Sequence, residues 1–280
     1  MLKQRVITAL VLLVVLLGVL SHPSPLAFPL FMIVLIGAAG WEWGRLSNVS
    51  DAGAWAFAAF MVASCGWLLV EHPYLGSNIF WAWVASIWSL IWLLYACGLL
   101  RAGVPAWQRI PRMVRLVVGW LSLCMAWLAT VRLHAQYGVG YLLSVIALVW
   151  MADVAAYYAG RAFGKHKLAP QISPGKSWAG ALGGTVGVLL MAVLGAGFLP
   201  DNHFYAQTVQ QAGWAALLLL AAAIAVVSIL GDLVESLMKR SVGMKDSSNL
   251  LPGHGGVLDR IDSLLPVLPL AFAATMWMQS

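Results

Sequence analysis

Long apolar stretches separated by short polar segments run through the whole chain. They cover residues 6–20, 27–42, 53–70, 79–100, 114–132, 138–158, 180–199, 213–231 and 262–279. A helix needs roughly 20 apolar residues to cross the hydrocarbon core of a bilayer, and most of these stretches approach that length. The first is short, and Pro23 and Pro25 separate it from the second. The pattern predicts an all-α fold, a polytopic integral membrane bundle of about nine transmembrane helices.

Composition agrees with this prediction. Of the 280 residues, 62% are hydrophobic and 9% are charged, whereas soluble domains carry about 25% charged residues. The 15 tryptophans suit a membrane protein, because indole rings favour the headgroup level. The first apolar stretch follows Lys3 and Arg5 as in a secretory signal, but no A-x-A-like cleavage site follows it. We therefore expect an uncleaved first span.

Basic residues lie in the short segments between the spans. With a cytoplasmic N-terminus, nine spans place all 16 basic residues except Arg132 on the cytoplasmic side. This asymmetry follows the positive-inside rule and predicts a multi-pass protein of the cytoplasmic (inner) membrane. Because the net charge of +6 is scattered over these loops, we expect the lipid bilayer as a partner and no nucleic acid.

The cysteines and the closely spaced glycines are better explained by helix packing than by a functional site. Cys65, Cys97 and Cys124 lie in apolar stretches without a CxxC pair, so we expect reduced thiols with no metal or disulfide role. Three glycine pairs have GxxxG spacing, which favours close helix packing over ligand binding. They are Gly40/Gly44, Gly180/Gly184 and Gly183/Gly187.

A dense group of charges lies between the last two spans. Its members are Asp232, Glu235, Lys239, Arg240, Lys245, Asp246, Asp259, Arg260 and Asp262, around a glycine-rich turn. Carboxylates bind hard cations such as Mg²⁺, and basic side chains neutralise phosphates. A solvated loop with ordinary ion pairs is the alternative explanation. Several of these charges lie at span ends, where burial is costly without a purpose, so we favour a metal-assisted phosphate site.

A second polar cluster ends another span on the same side of the predicted bundle. It comprises Asp153, Tyr157, Tyr158, Arg161, Lys165, His166, Lys167, Ser173, Lys176 and Ser177. The run Gly175-Lys176-Ser177 resembles the end of a P-loop, but Pro170 occupies the position of the required earlier glycine. His254 and Asp259 belong to no zinc-like ligand set. We expect the two clusters to share one substrate site.

Residues 236–262 resemble the complete signature of the phosphatidate cytidylyltransferase (CDP-diglyceride synthase) family. The chain reads S-x-x-K-R-x4-K-D from Ser236 and P-x-H-G-G-x-x-D-R-x-D from Pro252. The second cluster resembles the same family through Asp153, Gly160-Arg161 and residues 172–178. The family usually has a glutamate after the tryptophan at 178, where this chain has Ala179. The resemblance covers about 150–262, and the N-terminal half agrees mainly in hydropathy. We therefore expect an N-terminal transmembrane region, 1–135, and a C-terminal transmembrane catalytic region, 136–280.

The resemblance implies a magnesium-dependent transfer of CMP from CTP to phosphatidic acid, giving CDP-diacylglycerol and pyrophosphate in phospholipid biosynthesis. It implies one or two Mg²⁺ ions at Asp232 and Asp259, with Glu235, Asp246 and Asp262 as further candidate ligands. The expected catalytic residues are Asp232, Lys245, Asp246, Asp259 and Asp262. The expected substrate-binding residues are Asp153, Arg161, Ser173, Lys176, Ser177, Lys239, Arg240, His254, Gly255, Gly256 and Arg260.

Three alternative functions stay open, and a fourth is disfavoured by the sequence. A paralogue with another lipid-phosphate acceptor is compatible with Ala179, and a transporter also carries charges and broken spans within the membrane. A CDP-alcohol phosphotransferase would need D-G-x2-A-R-x8-G-x3-D-x3-D, which this chain lacks. A CTP-dependent lipid kinase would phosphorylate its lipid rather than transfer CMP. A homodimer is also left open.

Overall fold

The computed structural model describes residues 2–71 and 78–279, without the side chains of 2–7, 9, 12, 13 and 78. Lys3 and Arg5, which the sequence places at the cytoplasmic end of the first span, are among the side chains outside this description. The helices are α1 (Leu2–Leu20), α2 (Ala27–Leu46), α3 (Asp51–Glu71), α4 (Asn78–Ala102), α5 (Val104–Arg109), α6 (Arg112–Phe163), α7 (Trp178–Phe198), α8 (Phe204–Ser241), α9 (Leu258–Ile261) and α10 (Leu264–Met278). The strands are β1 (Lys167–Ala169) and β2 (Ser173–Ser177).

The prediction of an all-α membrane bundle is confirmed. Among the described residues, seven helical segments are long and apolar enough to cross a bilayer. One of them, α6, has 52 residues, which at 1.5 Å per residue is far longer than one crossing needs. It is broken at Gly138, whose φ of 81° departs from helical geometry, as does the φ of 84° at Gly213 in α8. Both breaks fall where the sequence predicts span boundaries, while the total of nine spans stays a prediction.

Close helix packing at the glycine pairs is also confirmed. A Cβ at Gly183 would lie 2.2 Å from the Cβ of Ala159, and one at Gly184 would lie 2.8 Å from the carbonyl oxygen of Ala152. The glycines of α7 therefore let its backbone approach α6. Gly40 of α2 meets Met61 of α3 in the same way. Cys65, Cys97 and Cys124 are free thiols in this structure.

One end of the bundle collects the polar segments, and we call it the polar end. There the Trp107 indole of α5 donates to the carbonyl oxygen of Leu46 at the end of α2, at 2.8 Å. The Gln108 amide donates to the carbonyl oxygen of Ser241 at the end of α8, at 3.3 Å. The ends of three helices thus meet at one level. The loops that carry both charged clusters extend from this end.

A short antiparallel hairpin follows α6 at the polar end. Strands β1 and β2 pair with Lys167 opposite Ser177 and Ala169 opposite Ser173. The Ser177 hydroxyl then caps α7 by accepting a hydrogen bond from the backbone N–H of Gly180 at 3.1 Å. The sequence predicts only a basic loop here, because segments of three and five residues are too short for a recognisable strand pattern.

The two ends of α7 should lie on opposite sides of the membrane, because its 21 residues span about 31 Å. Cysteines introduced singly at Lys165 and Asp201, both exposed, should react with a membrane-impermeant maleimide from opposite faces of sealed vesicles. Buried Cys65 and Cys124 should stay unlabelled in the unmodified chain. Labelling of both introduced cysteines from the same face would contradict the arrangement of α7 as a crossing helix.

Candidate active site

A cleft of about 620 Å³ opens at the polar end between α6, α7, α8 and the hairpin. Its polar wall is formed by Asp153, Arg161, Lys167, Lys176, Ser177 and Asp232. Small and apolar residues form the rest, among them Ala152, Ala156, Gly160, Ala181 and Ile229. The structure therefore brings five predicted residues from the two charged clusters into one cleft, as the shared-site hypothesis expects. The cleft offers charges for phosphates beside an apolar wall that suits a lipid.

Asp232 is the point at which the two clusters meet. Its Oδ2 forms an ion pair with Lys176 Nζ at 2.5 Å, which joins α8 to β2. The Ser236 hydroxyl, one helical turn further along α8, donates to Oδ1 of Asp232 at 3.2 Å. Asp153 and Asp262 both lie close enough to Asp232 for direct electrostatic interaction. Three carboxylates, from α6, α8 and the C-cap of α9, thus interact with Lys176.

Asp259 organises the loop between α8 and α9, residues 242–257, which we call the signature loop. Its Oδ2 accepts hydrogen bonds from the backbone N–H of Ser247 at 2.9 Å and of Gly256 at 2.8 Å. The Ser247 hydroxyl donates to the same oxygen at 2.9 Å. At Gly255 φ is +82°, and a Cβ there would lie 2.6 Å from Asp259 Oδ2. Glycine at 255 is therefore required both by its backbone conformation and by the approach of this carboxylate.

Lys239 links Asp259 to α8. Its Nζ lies 2.5 Å from Oδ1 of Asp259 and also forms an ion pair with Oε2 of Glu235, one turn earlier in α8. Glu235 is 3% exposed, and among the described residues its carboxylate oxygens have no hydrogen bond beyond that ion pair. Because Lys239 is the cation between two buried carboxylates, its removal would leave both charges uncompensated.

The balance of charges in the site fits a bound cation. The carboxylates are Asp153, Asp232, Glu235, Asp259 and Asp262, and the basic groups that interact with them are Lys176, Lys239 and Arg260. The acidic groups outnumber the basic ones, and all of them offer the oxygen ligands that Mg²⁺ prefers. In the described part of the chain, however, no three His, Cys, Asp or Glu side chains form a ready-made metal cluster. A cation here would replace a lysine contact.

The other predicted residues occupy more varied positions. Arg260 donates through Nε and Nη2 to the carbonyl oxygen of His254, and Arg240 donates to the carbonyl oxygen of Met244. Lys245 and Asp246 are exposed on the signature loop. Ser173 pairs with Ala169 in the hairpin and is not part of the cleft wall. The Gly256 N–H, proposed to approach phosphate, donates to Asp259 instead in this structure.

Glu42 is the part of the site that the sequence reasoning missed. It lies near the end of α2, is fully buried, and accepts four hydrogen bonds from the signature loop and the start of α9. A signal was present, because Glu42 is the only acidic residue in the apolar stretch 27–42. An ionisable group within a span is a candidate functional residue by default. Ser247 and Ser248, which donate to Glu42, were missed with it.

Comparison with known proteins gives a consistent result over nearly the full length. The sequence profile of the cytidylyltransferase family matches residues 3–278. A phosphatidate cytidylyltransferase of Pseudomonas aeruginosa is 42% identical over 99% of this chain and 97% of its own length. The enzyme of the same name from Haemophilus influenzae is 36% identical over 96% of both chains. One from Bacillus subtilis is 38% identical over 57% of this chain.

Replacing Lys239 by methionine should destabilise the fold strongly. The substitution keeps most of the side-chain volume but leaves Glu235 and Asp259 without their shared cation, which should cost about 3 kcal/mol or more. A thermal melt in detergent would measure the loss. Arg240→Met, at the exposed neighbouring position, is the matched control and should melt close to the wild type. Adding Glu235→Gln to Lys239→Met should recover part of the stability, and no recovery would contradict the proposed pairing.

Proposed function

The chain belongs to the cytidylyltransferase family, and from that membership we propose that it transfers CMP from CTP to phosphatidic acid, forming CDP-diacylglycerol and pyrophosphate. The observation that carries the proposal is the near-full-length similarity to enzymes named for this reaction. The cleft supports it with groups suited to phosphates, next to an apolar wall suited to a lipid.

The reaction joins two polyanions, and the site residues address that difficulty. A phosphate oxygen of phosphatidic acid attacks the α-phosphorus of CTP, and the bond to the β,γ-phosphates breaks to release pyrophosphate. The attacking oxygen is already anionic, so no strong general base is required. Lys176, Lys167 and Arg161 in the cleft wall would hold the phosphates close together against their repulsion. Further phosphate contacts are proposed for four basic residues of the charged group between the last two spans, Lys239, Arg240, Lys245 and Arg260.

We also propose that the reaction requires Mg²⁺, because five carboxylates gather around only three basic groups that interact with them. Asp232 and Asp259 are the proposed ligands, with Asp262, Glu235 and Asp246 as further candidates. When bound, Mg²⁺ would offset negative charge on the phosphates of the reactants. Asp232 lies in the cleft wall with 29% of its side chain exposed, whereas the side chain of Asp259 is 6% exposed and is held by Lys239, Ser247 and Gly256. Asp232 is therefore the residue at which metal binding is best tested.

The site is proposed to face the cytoplasm from the inner membrane. Arg45, Arg101, Arg109 and Arg112 lie at or next to the ends of α2, α4, α5 and α6, at the same polar end as the cleft. This concentration of basic residues supports a cytoplasmic polar end. A transporter is disfavoured because the charges gather at one end of the bundle rather than at its middle. If this orientation is correct, the maleimide should label Lys165→Cys only from the cytoplasmic side.

The position of a radioactive label in CTP distinguishes the proposed reaction from its rivals. In detergent or in vesicles containing phosphatidic acid, the α-³²P label should enter a chloroform-soluble product and the γ-³²P label should appear in pyrophosphate. A CTP-dependent lipid kinase would transfer the γ label to lipid instead. Lysophosphatidic acid and other lipid phosphates, offered in parallel, test whether the acceptor is another lipid. No conversion of CTP with any of these lipids would contradict the proposal.

Asp232→Asn should raise the Mg²⁺ concentration needed for half-maximal activity by roughly tenfold or more, because an amide is a weaker ligand than a carboxylate. A titration of Mg²⁺ after treatment with EDTA measures this. Asp201→Asn, at the opposite end of α7 and exposed, is the matched control and should titrate like the wild type. Normal activity of Asp232→Asn at limiting Mg²⁺ would remove Asp232 from the metal site.

A further inference from the structure

Glu42 is a buried carboxylate whose hydrogen-bond donors all come from a distant part of the chain. Oε1 accepts from the Ser248 hydroxyl at 2.5 Å and from the backbone N–H of Val257 at 3.0 Å. Oε2 accepts from the backbone N–H of Leu258 at 2.6 Å and from the Ser247 hydroxyl at 3.1 Å. The side chain is 0% exposed. Each oxygen therefore holds one serine and one backbone amide, and the carboxylate clamps both ends of the segment 247–258 to α2.

The clamp continues directly to Asp259. The Ser247 hydroxyl lies between the two carboxylates, 3.1 Å from Glu42 Oε2 and 2.9 Å from Asp259 Oδ2. Leu258, held through its N–H by Glu42, immediately precedes Asp259 in the chain. A displacement of Glu42 would thus reach Asp259 by two routes, through the serine hydroxyl and through the backbone of α9.

The Glu42 carboxylate and the signature loop are closely packed at Gly256. A Cβ at Gly256 would lie 2.1 Å from the Ser247 hydroxyl oxygen and 2.3 Å from Glu42 Oε1. The loop can therefore approach Glu42 only because residue 256 has no side chain. Close packing on this scale leaves the carboxylate little freedom to shift, and it transmits any shift to its neighbours.

We infer that Glu42 is a positioning residue for the transfer reaction, which fixes Ser247 and the start of α9 and so holds the Asp259 carboxylate in place. The inference rests on the proposed function for its catalytic consequence. Glu42 lies in the N-terminal region, 1–135, outside the signature at 236–262. The inference therefore gives the N-terminal region a role in the site. Glu42 lies outside the cleft wall, so it acts through Ser247 and Asp259 rather than by touching a substrate.

An amide cannot replace this carboxylate, although it has the same shape. Each oxygen of Glu42 faces a backbone N–H, from Val257 on one side and Leu258 on the other. Whichever way a glutamine at 42 turned, its NH₂ group would meet one of these N–H donors, and two donors cannot bond to each other. Glu42→Gln therefore breaks the clamp with almost no change in volume. Glu42→Asp keeps the charge and both oxygens but shortens their reach.

The first measurement is steady-state kinetics with CTP and phosphatidic acid. Glu42→Gln should lower kcat roughly 10- to 100-fold, because a small misplacement of a site group has effects of that size. The KM for CTP should stay near the wild-type value, since the cleft that receives the substrates is unaltered. Glu42→Asp should recover part of kcat. Glu71→Gln, at the end of α3, is the matched control and should behave as the wild type.

The second measurement is hydrogen exchange, which needs no substrate. In Glu42→Gln the amide of Val257 or Leu258 that faces the NH₂ group should exchange roughly tenfold faster or more, because it loses its acceptor. The amides of α10 should keep their protection. Should Glu42→Gln fail to accumulate, Ser248→Ala removes one donor from Glu42 Oε1 without stranding a charge, and the same local increase in exchange is expected.

Three outcomes decide the matter. A wild-type kcat in Glu42→Gln would overturn the inference. A fall in kcat with faster exchange throughout the bundle would also overturn it, because Glu42 would then be a residue of general stability. If the wild type itself converts no CTP, the proposed function fails, while local exchange at 257 and 258 still decides whether Glu42 holds the loop.

Discussion

A carboxylate inside a helical bundle must find its hydrogen-bond donors within the protein, and the architecture of the polar end follows from that constraint. Glu42, Glu235 and Asp259 are all largely enclosed. Glu42 and Asp259 obtain donors or a cation from other elements, whereas Glu235 pairs with Lys239, one turn further along α8. Burial of a charge without such partners would cost several kcal/mol. The signature loop supplies donors to Glu42 of α2 and Asp259 of α9 by folding back onto these two helices, and it leaves Lys245 and Asp246 exposed. The loop is therefore shaped by the charges beneath it.

The cleft beside this loop has a different character because its charges are only partly enclosed. Lys176 and Asp232 keep 25% and 29% of their side-chain surface exposed while they pair across β2 and α8. Such a pair can exchange its partner for a phosphate or a cation at lower cost than the enclosed set around Asp259 can. The polar end thus combines a rigid part, which sets positions, with an accessible part, which can take up charged substrates.

The sequence predicted the parts of the structure that depend on local composition. The apolar stretches, the breaks near 138 and 213, and the close packing at Gly183 and Gly184 follow from patterns within short windows. The meeting of the two charged clusters follows from their position on the same side of the predicted bundle. The hairpin was not predicted because strands of three and five residues carry too little pattern. Glu42 was missed for a different reason. Its partners lie 205 to 216 residues away, and no local pattern reports a contact of that range.

That separation has a consequence for how the protein is made. During synthesis α2 leaves the ribosome well before the residues that bind its carboxylate, and at 5–20 residues per second the interval is roughly 10 to 40 s. For that time Glu42 lies at the end of a membrane helix without the amides of Val257 and Leu258. Its place close to the helix terminus, three residues before Arg45, lets the side chain reach the headgroup layer meanwhile. The clamp can close only when α9 arrives, so the site is assembled as one of the last events of biogenesis.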